Sequence, residues 1–164
     1  MRVAALLIMA LWTYGVSAEE CFSGFSESGL IASVGKEPIK RVVKTEGNIT
    51  SHQYEFRKEL STEELLSDDA DLRYEPQFYL TIYEPPCAKK VKIWFYGDNK
   101  NTAKISNVSL AGKAFEYLTG TEPAIFENKM KRFEHVQNFE SFDDKADSRF
   151  IKSGDLYSID VSLK

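Results

Sequence analysis

Two hydrophobic periodicities divide this chain, one of two residues and one close to 3.6. The run Phe78-Tyr79-Leu80-Thr81-Ile82-Tyr83 is β-branched and aromatic and is stopped by Pro85-Pro86, the signature of a strand. Val91–Tyr96 alternates, with Val91, Ile93 and Phe95 on one face. Gly97-Asp98-Asn99-Lys100-Asn101 has turn chemistry and predicts a hairpin into a further strand over Thr102–Leu110. In that strand Val108 and Leu110 share one face, Asn107 and Ser109 the other. Upstream, Leu30–Val34 and Ile39–Lys44 read as two short strands, or one bent strand, around Gly35–Pro38. Ser51–Lys58 reads as another, with Tyr54 and Phe56 on one face. Ser61-Thr62-Glu63-Glu64 matches a capping box and predicts one or two helical turns. The helical period arrives late: Phe126, Met130, Phe133 and Val136 predict an amphipathic helix over Glu122–Phe139, its apolar stripe set against a sheet. Alternation returns in Tyr157–Leu163 as a final strand. The expectation is one β-rich domain with a single late helix.

The longest apolar run has a different meaning. Arg2, the stretch Val3–Trp12 and the small-residue ending Val16-Ser17-Ala18 form a secretory signal, expected to be cleaved after Ala18. The stretch is too short to span a bilayer and no second one follows, so 19–164 is expected to be one secreted, non-membrane-spanning domain. That compartment changes the reading of the rest. Cys21 and Cys87 are the two cysteines; one internal disulfide is the default in oxidising surroundings, with free thiols or an intermolecular bridge as alternatives. Asn48-Ile49-Thr50 and Asn107-Val108-Ser109 become candidate glycosylation sites, both expected at the surface.

Charge and chemistry narrow the function more than they define it. The formal net charge of −4 disfavours nucleic acid and anionic membrane surfaces, which are bound through basic patches. The acidic cluster Glu63, Glu64, Asp68, Asp69 and Asp71 lacks the glycine and ligand spacing of a calcium loop and reads as a solvated helix face. His52 and His135 lie far apart without metal-ligand spacing, so no metal and no cofactor is expected. No nucleophile elbow, phosphate-binding glycine loop or zinc-helix motif is present.

The segment Pro76–Tyr83, then Cys87, then Lys89-Lys90-Val91-Lys92-Ile93, resembles the Pro-x-Leu-x-Ile-Tyr region of the nematode transthyretin-like family of secreted proteins. Ile105–Lys113 is similar to that family's strand ending in Leu-x-Gly-Lys, and Gly29–Pro38 with Val42-Val43-Lys44 to its opening strand pair. Together these span about 28–115, leaving 116–164 as a helix-plus-strand extension. The family's first-strand cysteine is replaced by Ala32-Ser33, and of its other cysteines only Cys87 remains. The resemblance implies an antiparallel transthyretin-like or immunoglobulin-like β-sandwich with an extracellular binding role and no catalytic machinery. The related fold hosts a hydrolase of 5-hydroxyisourate, but this chain ends Val161-Ser162-Leu163-Lys164 and lacks that enzyme's Tyr-Arg-Gly-Ser ending.

The leading expectation is therefore a non-enzymatic extracellular protein that binds a protein or lipid partner. Its candidate surface is Tyr79, Thr81 and Tyr83, opposite Leu80 and Ile82, together with Trp94 and Tyr96; the competing arrangement has the late helix covering them. The alternative is a lipocalin-like carrier of a small hydrophobic ligand, favoured by an aromatic content of 13%.

Overall fold

The computed structural model describes residues 25–56, 62–63, 78–84, 89–96 and 101–164, with the backbone alone for 101–106. The chain opens with a helix, α1 (Glu27–Val34), followed by the strands β1 (Lys40–Glu46), β2 (Ile49–Glu55), β3 (Phe78–Glu84) and β4 (Lys90–Tyr96). Two helices follow, α2 (Asn101–Thr119) and α3 (Pro123–His135), and then β5 (Asn138–Phe142), β6 (Ala146–Ser153) and β7 (Leu156–Leu163). All seven strands lie in one antiparallel sheet of order β1-β2-β3-β4-β7-β6-β5. Against its apolar face pack helices, and among the described residues no second sheet lies there.

β3, β4 and β7 form where the alternation placed them. Their register explains why: Leu80 faces Ile93, which faces Ile159, and Phe78, Phe95 and Tyr157 form the next row. Each row buries one side-chain layer on one face of the sheet. Two hairpins, β1–β2 and β6–β7, close through two-residue loops, Gly47-Asn48 and Gly154-Asp155. Gly47 and Gly154 have φ of 60° and 59°, while no described non-glycine residue has positive φ. That is the II′ pattern, which needs glycine at its first position and matches the strand twist.

The helix layer departs from the expectation twice. Leu30–Val34 is not a strand but part of α1, because Ser26 caps it by accepting from the Gly29 N–H (3.1 Å) and Leu30 and Val34 fall one turn apart on the buried side. Thr102–Leu110 is likewise not a strand but the first half of α2. The longer pattern decides it: Leu110, Ala111, Ala114, Phe115 and Leu118 are buried at helical spacing. The late helix is confirmed, within narrower limits. It stops at His135 because Val136 is already extended (φ −129°, ψ 145°) and leads into β5. β5 and β6 had no counterpart in the sequence reading. Of the expected turns after Ser61, only the helical Thr62-Glu63 lies among the described residues.

The core is an aromatic seam between sheet and helices. Phe133 of α3 sits edge-on to Phe139 (5.6 Å), Phe150 (5.5 Å) and Tyr157 (5.2 Å). Phe115 of α2 bridges Phe126 (5.1 Å) and Phe150 (5.7 Å). Edge-to-face pairs at these distances add to the burial term. Phe133→Ala removes the ring at the centre of the seam and should lower the unfolding free energy by about 3–5 kcal/mol. Urea denaturation measures it; a cost under about 1 kcal/mol would mean that α3 is not docked as described.

Candidate binding surface

The four aromatic side chains singled out from the sequence do converge on one face. Tyr79 and Tyr83 of β3 and Trp94 and Tyr96 of β4 point away from Leu80, Ile82, Ile93 and Phe95, so they lie on the sheet face opposite the helices. α3 does not cover them. The register sets Tyr79 beside Trp94, and their rings stack at 4.0 Å and 11°. Trp94 also donates from Nε1 to Thr81 Oγ1 (3.2 Å), and Tyr96 meets its edge at 6.5 Å and 70°. The members differ in access. Tyr79 is 2% exposed and serves as floor, Trp94 and Tyr83 are half-buried, and Tyr96 at 41% faces solvent. A tryptophan held by a stack and a hydrogen bond has lost its rotamer freedom already, which lowers the ordering cost of a contact.

Beside this cluster the same face forms an open groove of about 760 Å³, with Ile49, Tyr83, Lys92, Glu140, Arg149 and Asp160 in its lining. Cross-strand register sets its charges in alternation: Glu140 opposite Arg149, Arg149 opposite Asp160, Asp160 opposite Lys92. Lys92 and Asp160 form an ion pair at 3.3 Å. Both signs are present, so the groove suits a partner with complementary polar groups more than a uniformly charged surface. A second cleft of about 890 Å³ lies on the opposite side between α2 and α3, with Gly112, Phe126, Met130 and Tyr157 in its lining and Lys113 and Lys131 among its polar residues.

One cluster was not anticipated. Glu27, in the first turn of α1, accepts from the Tyr54 hydroxyl, from His52 Nδ1 (2.8 Å) and from Arg41 Nη2 (3.3 Å). Burial pushes the Glu27 carboxyl up, but the hydrogen bonds from Tyr54 and His52 and the neighbouring His52 and Arg41 charges outweigh it and leave it below the ordinary 4.5. Burial, and then the Glu27 carboxylate that accepts its proton, push Tyr54 up to about 12. The cluster latches α1 onto β1 and β2. Its sequence signal was the Ser26 cap before Leu30 and Val34, which a strand reading of that segment hides. His52 Nε2 has no hydrogen-bond partner among the described residues, and no nucleophile is placed beside it. A parallel latch holds α3: Lys129 donates to Ser141 and to both carboxylate oxygens of Asp143 (3.1 Å each).

The remaining sequence candidates separate. Asn48 is exposed in its hairpin loop. Asn107 is not at the surface as expected: it lies on α2, is 1% exposed, and donates from Nδ2 to the Tyr96 carbonyl (2.8 Å). A glycan there is incompatible with this packing. His135 is exposed at the end of α3. Cys21 and Cys87 lie outside the described residues, as does most of the acidic cluster after Ser61. Among the described residues no group of three or more His, Cys, Asp or Glu could hold a metal ion, and no helix is long and apolar enough to cross a membrane. No protein-family model, curated protein or solved structure matches this chain.

Acid should loosen the α1 latch with a defined sign. Glu27 titrates lower folded than unfolded, so its contribution is present above about pH 4.5 and lost as pH falls through the folded value. Glu27→Gln should cost about 1–3 kcal/mol at neutral pH and flatten the acid limb of a stability-versus-pH curve. An acid limb unchanged in the variant would remove Glu27 from this role.

Proposed function

We propose that this protein is a secreted, non-enzymatic binding protein whose partner, an extracellular protein, docks on the sheet face opposite α1, α2 and α3. The observation that carries the reading is Trp94, stacked on buried Tyr79 and fixed to Thr81, with Tyr96 and the mixed-charge groove beside it. Ordered aromatics next to satisfied polar groups are what interface anchors consist of. The alternating charges favour a protein over a lipid surface. Secretion is supported by the Met1–Ala18 signal pattern, and a Cys21–Cys87 disulfide belongs to the same reading. Kinship with the nematode transthyretin-like proteins draws support from the β3 and β4 segments and from Val42-Val43-Lys44 in β1, whereas Gly29–Val34 and Ile105–Lys113 are helical here; the sandwich fold that goes with it needs a second sheet, which the described residues do not include.

A second reading, a carrier of a small hydrophobic molecule, is favoured by the α2–α3 cleft, whose volume suits a ligand of a few hundred daltons. Native mass spectrometry of protein from a eukaryotic secretory host separates the two. An extractable extra mass at unit stoichiometry supports the carrier; a clean apo mass supports the interaction module.

The direct test is quantitative cross-linking capture from the fluid the protein is secreted into, comparing wild type with Trp94→Ala and Tyr96→Ala. Recovery of one partner should fall by at least tenfold for Trp94→Ala, as loss of an interface anchor of about 2 kcal/mol requires. Equal recovery by wild type and both variants would rule the aromatic cluster out as the docking site. In the same host, Asn48→Gln should remove one glycan's mass and Asn107→Gln none; retained glycan mass in the Asn48→Gln protein would contradict the exposures described.

A further inference from the structure

β1 is an edge strand: it pairs with β2 and, among the described residues, with nothing on its other side. Which of its backbone groups face outward follows from the hairpin. In a two-residue loop the flanking residues, here Glu46 and Ile49, exchange both hydrogen bonds. The Phe56 N–H donating to the Phe78 carbonyl (3.1 Å) gives the same parity, with even-numbered β2 positions bonded to β3 and odd ones to β1. Lys40, Val42, Lys44 and Glu46 are therefore bonded inward. The N–H and C=O groups of Arg41, Val43 and Thr45 face the open edge.

The side chains of this edge are not those of a protected one throughout. Val43, at its centre, is 51% exposed, and Ile39, just before it, 55%. Basic Lys40, Arg41 and Lys44 would discourage edge pairing in most registers. One register turns them to use. Placing β1 antiparallel to itself about Val43 sets Val43 opposite Val43 of the second copy, Arg41 opposite Thr45, Val42 opposite Lys44 and Lys40 opposite Glu46. Val43 and the Arg41/Thr45 pairs then meet as hydrogen-bonded pairs, with every outward group satisfied. Lys40, already 3.6 Å from Glu55, gains a second carboxylate at each end of the seam. The neighbouring registers fail on simple grounds. Centring on Arg41 stacks Arg41 on itself, and centring on Thr45 runs the strand into the Gly47-Asn48 loop after a few pairs. Opposite residues in an antiparallel pair share a face, so both copies keep their helices on the same side of a continuous sheet.

We propose that β1 is a self-association edge through which two copies of this chain join by antiparallel β1–β1 pairing centred on Val43. The contact is short, so association is weak and reversible, and it leaves the aromatic face of β3 and β4 open on both copies.

Sedimentation equilibrium on the full mature chain, up to roughly 100 µM, tests it at the affinity such a small interface reaches. The wild type should move from the mass of one chain toward two with rising concentration. Val43→Lys sets two ammonium groups opposite each other on an exposed site; it should keep an unchanged circular dichroism spectrum and associate at least tenfold more weakly. Register is read by cross-linking. In a hydrogen-bonded antiparallel pair the Cα atoms lie about 5.5 Å apart, within disulfide reach, so Val43→Cys should form a covalent dimer under mild oxidation. Thr45→Cys, displaced by four residues and roughly 13 Å from its copy, should form no more dimer than the parent chain. A single-chain mass across the whole range, unchanged association of Val43→Lys, or equal cross-linking of the two cysteine variants would each overturn the proposal.

Discussion

The pairing of β4 with β7 holds the two halves of the chain in one structure. Residues before α2 supply one antiparallel meander and residues after α3 supply another. Neither buries its apolar face alone. At the β4–β7 seam Val91 meets Val161, Ile93 meets Ile159, and Phe95 stacks on Tyr157 at 5.4 Å and 4°. The result is a seven-stranded sheet whose central strands are apolar on one face over their whole length. Everything else follows from the need to cover that face.

With all the described strands in one sheet, the cover over them is made of helices. α2 and α3 run between the two meanders and lie over the seam they join, which places Phe115, Phe126 and Phe133 against Phe150 and Tyr157. α1 extends the cover over β1 and β2, where the sheet turns polar, and there the apolar contact of Leu30 and Val34 is supplemented by the Glu27 cluster. Polar latches therefore sit at the margins of the helix layer, Glu27 at one and Lys129–Asp143 at the other, with the aromatic seam between them. Ion pairs at a partly solvated margin add orientation more than energy, whereas the seam supplies most of the stability.

The face opposite α1, α2 and α3 carries the aromatic cluster and the mixed-charge groove. Trp94, Tyr96 and Tyr83 are held by the same strands whose opposite side chains form the core, so the rigidity of the seam passes directly to them. The edge strand β1 lies two strands away from that cluster. The proposed docking surface and the proposed self-association edge thus occupy different parts of the same sheet.

The strands β3, β4 and β7, the late helix and the common face of Tyr79, Tyr83, Trp94 and Tyr96 were legible in the chain, because alternation and helical spacing are local signals that burial reinforces. α1 and the first half of α2 were not. Leu30–Val34 and Thr102–Leu110 are short, rich in β-branched residues and near-alternating, and over such lengths the two periods overlap. What resolves them lies elsewhere: the Ser26 cap for one, and for the other burial that continues through Ala114, Phe115 and Leu118. β5 and β6 were hidden because their half-exposed residues alternate weakly and gain strand structure from pairing, β6 with β7 and β5 with β6. The sequence by itself determined which residues are apolar, their spacing and therefore the strong elements. Only the tertiary structure decided that the strands make one sheet, that Asn107 is buried, and that Glu27 meets His52 and Tyr54. Each of those depends on contacts between segments distant in the chain, which no local pattern encodes.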